Sequence, residues 1–167
     1  MGHRGKRLRE SAEVLRCTPL RGIDSLKLGM TLDSATALLG APRRVAKERF
    51  EASWGADLRC FFSAEWSLIE IAVVGGPDAR RVELGDDVLL SRDFDVAAEQ
   101  LLGYAGEGYR HPKQHLVVFP KQGLRLWSEE GVWADSFECA TLERCTSVLS
   151  GWPDKYARMR EEDFPAD

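Results

Sequence analysis

The chain has 167 residues, 44% of them hydrophobic and 30% charged, with a net charge of −4 at neutral pH. That length suits one domain. No apolar run approaches the ~20 residues of a membrane-spanning helix, and the charged start has no apolar segment behind it, so a cytoplasmic protein without a membrane partner is expected. The charge is uneven: residues 1–23 hold Arg4, Lys6, Arg7, Arg9, Arg16 and Arg21 against Glu10 and Glu13, a +4 arm on a body of −8. An acidic body disfavours nucleic acid and favours basic partners.

Residues 6–17 place Leu8, Ala12 and Leu15 on one helical stripe, which predicts a short N-terminal helix ended by Thr18-Pro19. The clearest local signal follows. Thr31 is an N-cap residue type, and Leu32, Ala35, Leu38 and Leu39 recur at helical spacing. Gly40 suits a left-handed C-terminal position and Pro42 forbids continuation, so a helix is expected over 31–39. Phe50/Ala52/Trp54, Leu58/Cys60/Phe62 and Ile69/Ile71/Val73 then alternate with other residues, and this period of two predicts an antiparallel meander. Gly75-Gly76-Pro77-Asp78 breaks it.

The same order then returns. Val82-Glu-Leu-Gly85 echoes Leu26-Lys-Leu-Gly29, and Leu101-Leu102-Gly103 echoes Leu38-Leu39-Gly40. Asp93 can cap a helix whose apolar face is Phe94, Ala97, Ala98, Leu101 and Leu102, and strands are expected near 115–119, 123–128 and 132–139. The shared order argues for duplication. The expected fold is therefore α+β: two tandem repeats of a short helical segment packed on an antiparallel three- to four-stranded sheet, with short helices at both termini. The expected divisions are a basic arm at 1–21, repeats at 22–78 and 79–140, and an extension at 141–167, all in one compact domain. In that extension, Gly151-Trp-Pro-Asp154 opens a charged helix sealed by Trp152, Tyr156 and Met159.

Motifs for chemistry are sparse. Cys17, Cys60, Cys139 and Cys145 form no CxxC and read as small buried apolar residues. His111-Pro-Lys-Gln-His115 has the i,i+4 spacing of a helical metal pair, but Pro112 opposes a helix and no third ligand is evident. No GxSxG, GxGxxG or phosphate-binding loop is present. The expectation is a protein that is not an enzyme and carries no cofactor or metal. A second reading places a small-ligand or catalytic site between the repeats, using His111, His115 or Cys145. A third uses the basic arm on nucleic acid.

Strand phase yields the candidate site. Leu58/Cys60/Phe62, Ile69/Ile71/Val73, Leu124/Leu126 and Trp133/Phe137/Cys139 would face the helices. Alternation then forces Arg59, Phe61, Glu70, Arg125 and Trp127 onto the opposite face. Arginine and large aromatics anchor protein interfaces, so these five residues are the candidate partner-binding surface.

The stretch Leu26-Lys-Leu-Gly-Met-Thr-x-x-x-Ala-x-x-Leu-Leu-Gly-x-Pro42 resembles the opening of a bacterial group. That group includes the tandem-repeat β-lactamase inhibitor proteins and the small lipoproteins of outer-membrane assembly. The resemblance spans about 17 residues closely, and its two-unit pattern covers residues 22–140. It implies a turn and helix packed on an antiparallel sheet whose concave face grips another protein. This chain departs from the group in having neither a lipobox cysteine nor paired cysteines. Together with the acidic body, the resemblance implies an immunity or inhibitor protein that occludes the site of a toxin or enzyme, a basic toxin fitting best.

Overall fold

Alternation of buried and open side chains governs this chain more than helical periodicity does. The computed structural model describes residues 14–75, 79–85, 88–150 and 156–164. A five-stranded sheet is built from β1 (Val14–Thr18), β2 (Gly22–Ile23), β3 (Leu26–Lys27), β8 (Arg81–Leu84) and β9 (Val88–Leu89), in the order β3-β2-β1-β8-β9. A nine-stranded sheet holds β4 (Arg44–Ala46), β5 (Glu51–Trp54), β6 (Leu58–Phe62), β7 (Leu68–Val74), β10 (Tyr109–Arg110), β11 (His115–Phe119), β12 (Leu124–Ser128), β13 (Ser136–Ala140) and β14 (Ala157–Arg158). Its order is β14-β10-β11-β12-β13-β7-β6-β5-β4. The three helices among the described residues are α1 (Leu32–Leu39), α2 (Phe94–Ala105) and α3 (Leu142–Ser150).

This corrects the expected α+β architecture. The fold is mostly β, with two sheets and few helices, instead of helical repeats on a sheet flanked by terminal helices. Where an N-terminal helix was expected, residues 14–18 form a strand; the start of that predicted helix lies outside the described residues. The physical reason is pairing: β1 runs parallel to β8, Val14 opposite Arg81 through Cys17 opposite Leu84, while Leu15 and Cys17 point into the core. A helix over this segment would leave β8 an open edge. The C-terminal helix lies at Leu142–Ser150, ahead of the Gly151 start that was expected. Beyond it, Ala157–Arg158 pairs with β10 and Glu161–Asp163 makes a single 3₁₀ turn; residues 151–155 lie outside the described residues.

Local signals fix the first two helices. Thr31 caps α1, its hydroxyl accepting from the Ser34 amide at 3.1 Å, and Gly40 ends it with φ 85°. Asp93 caps α2 through the Val96 amide at 3.0 Å. Phe94, Ala97, Ala98, Leu101 and Leu102 are all buried, but α2 runs past Gly103 and ends at Gly106. In α1 only Ala35 is buried, so Leu38 and Leu39 stay exposed.

The core lies between the sheets. From the large sheet come Leu58, Cys60, Phe62, Ile71, Val73, Leu124, Leu126, Phe137 and Cys139; from the small sheet come Leu15, Cys17, Ile23, Leu26, Val82 and Leu84. α2 closes the side over β11 and β12. Cys139 Sγ sits 4.0 Å from the Gly22 carbonyl, where the two layers touch. A register shift between Phe61 and Phe62 makes Leu68 the core residue and leaves Ile69, expected inside, half-buried. Trp133, also expected inside, lies before β13 and is 61% exposed.

Candidate functional site

The five predicted partner-binding residues share one face of the large sheet, but that face is divided. Arg59 and Phe61 lie on β6, Glu70 on β7, and Arg125 and Trp127 on β12. Ladder rows connect them: Phe61 opposes Glu70, Arg59 opposes Ala72, Ala72 opposes Glu138, and Glu138 opposes Arg125. All five point away from the core.

One half of the face is sealed. α3 lies on it with Cys145 fully buried, its thiol 4.0 Å from the Phe119 and Leu124 carbonyls. Beneath α3 an ion cluster forms. Glu70, whose side chain is 3% exposed, accepts from Arg125 Nη2 at 3.0 Å and from Arg144 Nε at 3.5 Å. Arg125 also pairs through Nε with Glu138. Burial works against the Arg125 cation, but the Glu138 and Glu70 charges outweigh it and hold its pKa above the ordinary value. Burial, with the Glu70 charge added, raises Glu138 against the opposing pull of Arg125. Two guanidinium groups and two carboxylates balance one another's charge here. Glu70 and Arg125, expected on the contact surface, are therefore engaged with each other and largely buried.

The other half stays open. Arg59 donates to Glu51 Oε1 from Nε at 2.7 Å and from Nη2 at 2.5 Å, and its guanidinium lies 5.6 Å from the centre of the Phe61 ring. Charge pairing with Glu51 and the Phe61 ring together position the guanidinium. Beside it a groove of about 330 Å³ is walled by Arg43, Arg44, Arg49 and Arg59, with Glu51 the carboxylate in its lining. Among the described residues no carboxylate lies within ion-pair range of Arg43, Arg44 or Arg49. β4, which carries Arg44, is the outer strand of the sheet. Trp127 is 38% exposed on the same face, on the far side of β7 and β13.

Strand alternation found the face and missed the groove. The basic run Arg43-Arg44-Val-Ala-Lys47-Glu-Arg49 within an acidic body was the available signal. Glu51 and Glu138 were not legible as partners, because they approach Arg59 and Arg125 only through strand pairing.

The residues of the catalytic alternative are not brought together. His111 is buried, its Nδ1 accepting the Lys113 and Gln114 amides, each at 3.1 Å, and its ring meets Tyr156 edge-on at 5.2 Å. This ring organises a turn from inside the fold. His115 packs against Phe94 on the core side of β11, whereas Cys145, on α3, faces the opposite side of the sheet. Burial pushes the Cys145 and Cys60 thiols up to about 12, so neither supplies a thiolate near neutrality. Among the described residues no group of three or more His, Cys, Asp or Glu side chains could hold a metal ion. No described helix is long and apolar enough to cross a membrane.

Comparison with protein-family models, with curated proteins and with solved structures finds no match.

Proposed function

We propose that the chain is a non-catalytic protein-binding module of the immunity or inhibitor kind, whose contact surface is the open half of the large sheet's outer face. The observation that carries this reading is the arginine groove: four guanidinium groups against one carboxylate, one of them stacked beside Phe61. Arginine and large aromatic side chains are the residue types enriched among those that carry binding energy at protein interfaces, and Phe61 is half-buried beside Arg59. Arginines without a carboxylate in range among the described residues, concentrated on an acidic chain, favour a partner surface of opposite sign. The surface that docks here is acidic, whereas net charge alone pointed to a basic toxin. Trp127 extends the contact at its far rim.

The test is capture of the product of the neighbouring gene, a natural first partner for a protein of this kind, by the full chain. Wild-type protein is compared with an R43E/R44E/R49E variant and with Phe61→Ala. Charge reversal is expected to abolish capture and Phe61→Ala to weaken it at least tenfold. Capture unaffected by either variant would sink the reading. Binding to a mixed-sequence oligonucleotide with steep salt dependence would replace it with a phosphate-binding one.

A further inference from the structure

We infer that the cavity between the two sheets is a binding site for a small organic monoanion with an apolar body, a carboxylate being the head group that fits. The cavity holds about 430 Å³, within the ~300–1,000 Å³ typical of small-molecule sites. Val73, Leu126 and Phe137 of the large sheet form one side of its apolar floor, and Val82 and Leu90 form the other. It opens on the core side of β7, β12 and β13, away from the arginine groove beside β4–β6.

Its wall carries three guanidinium groups in unequal states. Arg80 is taken: Nε and Nη2 each donate to the Asp57 carboxylate at 2.9 Å. Arg81 is not. Its Nη2 donates to the Leu90 carbonyl at 2.9 Å, while its Nε, sealed from solvent, finds no acceptor among the described residues. Arg92 Nη2 donates to the Ala79 carbonyl at 3.2 Å. Among the described residues neither Arg81 nor Arg92 has a carboxylate within ion-pair range. Asp135 adds one negative charge to the lining, its Oδ2 accepting the Glu129 amide at 2.7 Å. With Asp57 matched to Arg80, the wall keeps one positive charge unbalanced among the described residues.

A half-buried cation without a counter-ion is costly, and an anion entering the cavity removes that cost. The apolar floor demands a matching body. Trp133, pinned by its bridge to Asp93 and by the Ala134 amide on the Arg92 carbonyl, lines the cavity with most of its ring open. An open indole on a backbone held this way, beside an apolar pocket, is suited to cover a ligand's hydrocarbon.

The experiment titrates the full chain with octanoate, 4-phenylbutyrate and indole-3-acetate, and with the primary amide of each, reading thermal stability and, by calorimetry, affinity. At least one acid should bind and raise the melting temperature, and its amide should bind about tenfold more weakly or worse. Arg81→Met and Arg92→Met should each lose the preference for the acid, while R43E/R44E/R49E keeps it, which separates this site from the protein-binding groove. Arg92 is exposed, so its variant carries the test if Arg81→Met fails to fold. No binding by any of the three acids, equal binding of acid and amide, or discrimination surviving in Arg92→Met would overturn the proposal.

Discussion

Removing Arg125 is the most direct probe of the sealed half of the sheet. Arg125→Met keeps most of the side chain's length and deletes its charge, leaving Glu70 and Glu138 as neighbouring carboxylates with Arg144 as the remaining cation. Glu70 is 3% and Glu138 17% exposed, so both stay largely desolvated. Breaking one partner out of a buried ion pair costs about 3–5 kcal/mol, which for a chain of this size lowers the melting temperature by roughly 10 °C. The penalty depends on pH in a defined direction. Glu138 already lies above its ordinary 4.5 in the folded state, and without Arg125 it rises further. The folded variant then binds a proton more tightly than the unfolded chain, so its stability falls as pH rises above 4.5 and recovers on acidification. Urea unfolding followed by tryptophan fluorescence at pH 7 and pH 5 measures both effects. The deficit relative to wild type should shrink at pH 5, and a second change, Glu70→Gln, should restore part of it at pH 7. A deficit under 1 kcal/mol, or one unchanged between the two pH values, would refute the ion-cluster account.

Other outcomes follow from single contacts. Burial pushes the Asp57 carboxyl up, but hydrogen bonds and charge from Arg80 push it down further, below its ordinary 3.8. Its contribution is therefore present above that value and fades as pH falls through the lowered one. Asp57→Asn should cost about 2 kcal/mol near neutrality in chemical unfolding and flatten the acid limb of the stability curve. Asp93→Ala removes the α2 cap and should cost about 1 kcal/mol. Leu126→Ala should destabilise by about 2–5 kcal/mol, whereas Trp127→Ala, one position along and on the open face, should cost under about 1 kcal/mol. Reversal of that order in parallel melts would mean the strand's facing is wrong.

Arginine provides the clearest division between what was legible in the chain and what was not. Alternation along Leu58–Phe62 and Leu124–Ser128 is a local property, because successive side chains of a strand must point to opposite faces. It placed Arg59, Phe61, Arg125 and Trp127 on one face without any knowledge of the fold. Which of them remains open is a separate matter, decided by where α3 comes to rest and by the meeting of Glu70 and Glu138 across β7 and β13.

Capping and turn chemistry are equally local. Thr31, Gly40 and Asp93 marked α1 and α2 because each satisfies backbone groups within four residues of itself. β1 is the counter-example. Leu8, Ala12 and Leu15 fit a helical stripe, yet Val14–Thr18 is a strand, because its backbone finds its partner at Arg81–Leu84, more than sixty positions away. The sequence by itself determined the alternation of faces and the helix ends, both consequences of bonds among near neighbours. Only the tertiary structure decided the second sheet, the buried ion cluster and the cavity with its unmatched arginine, since each arises from segments distant in the chain meeting where water is excluded.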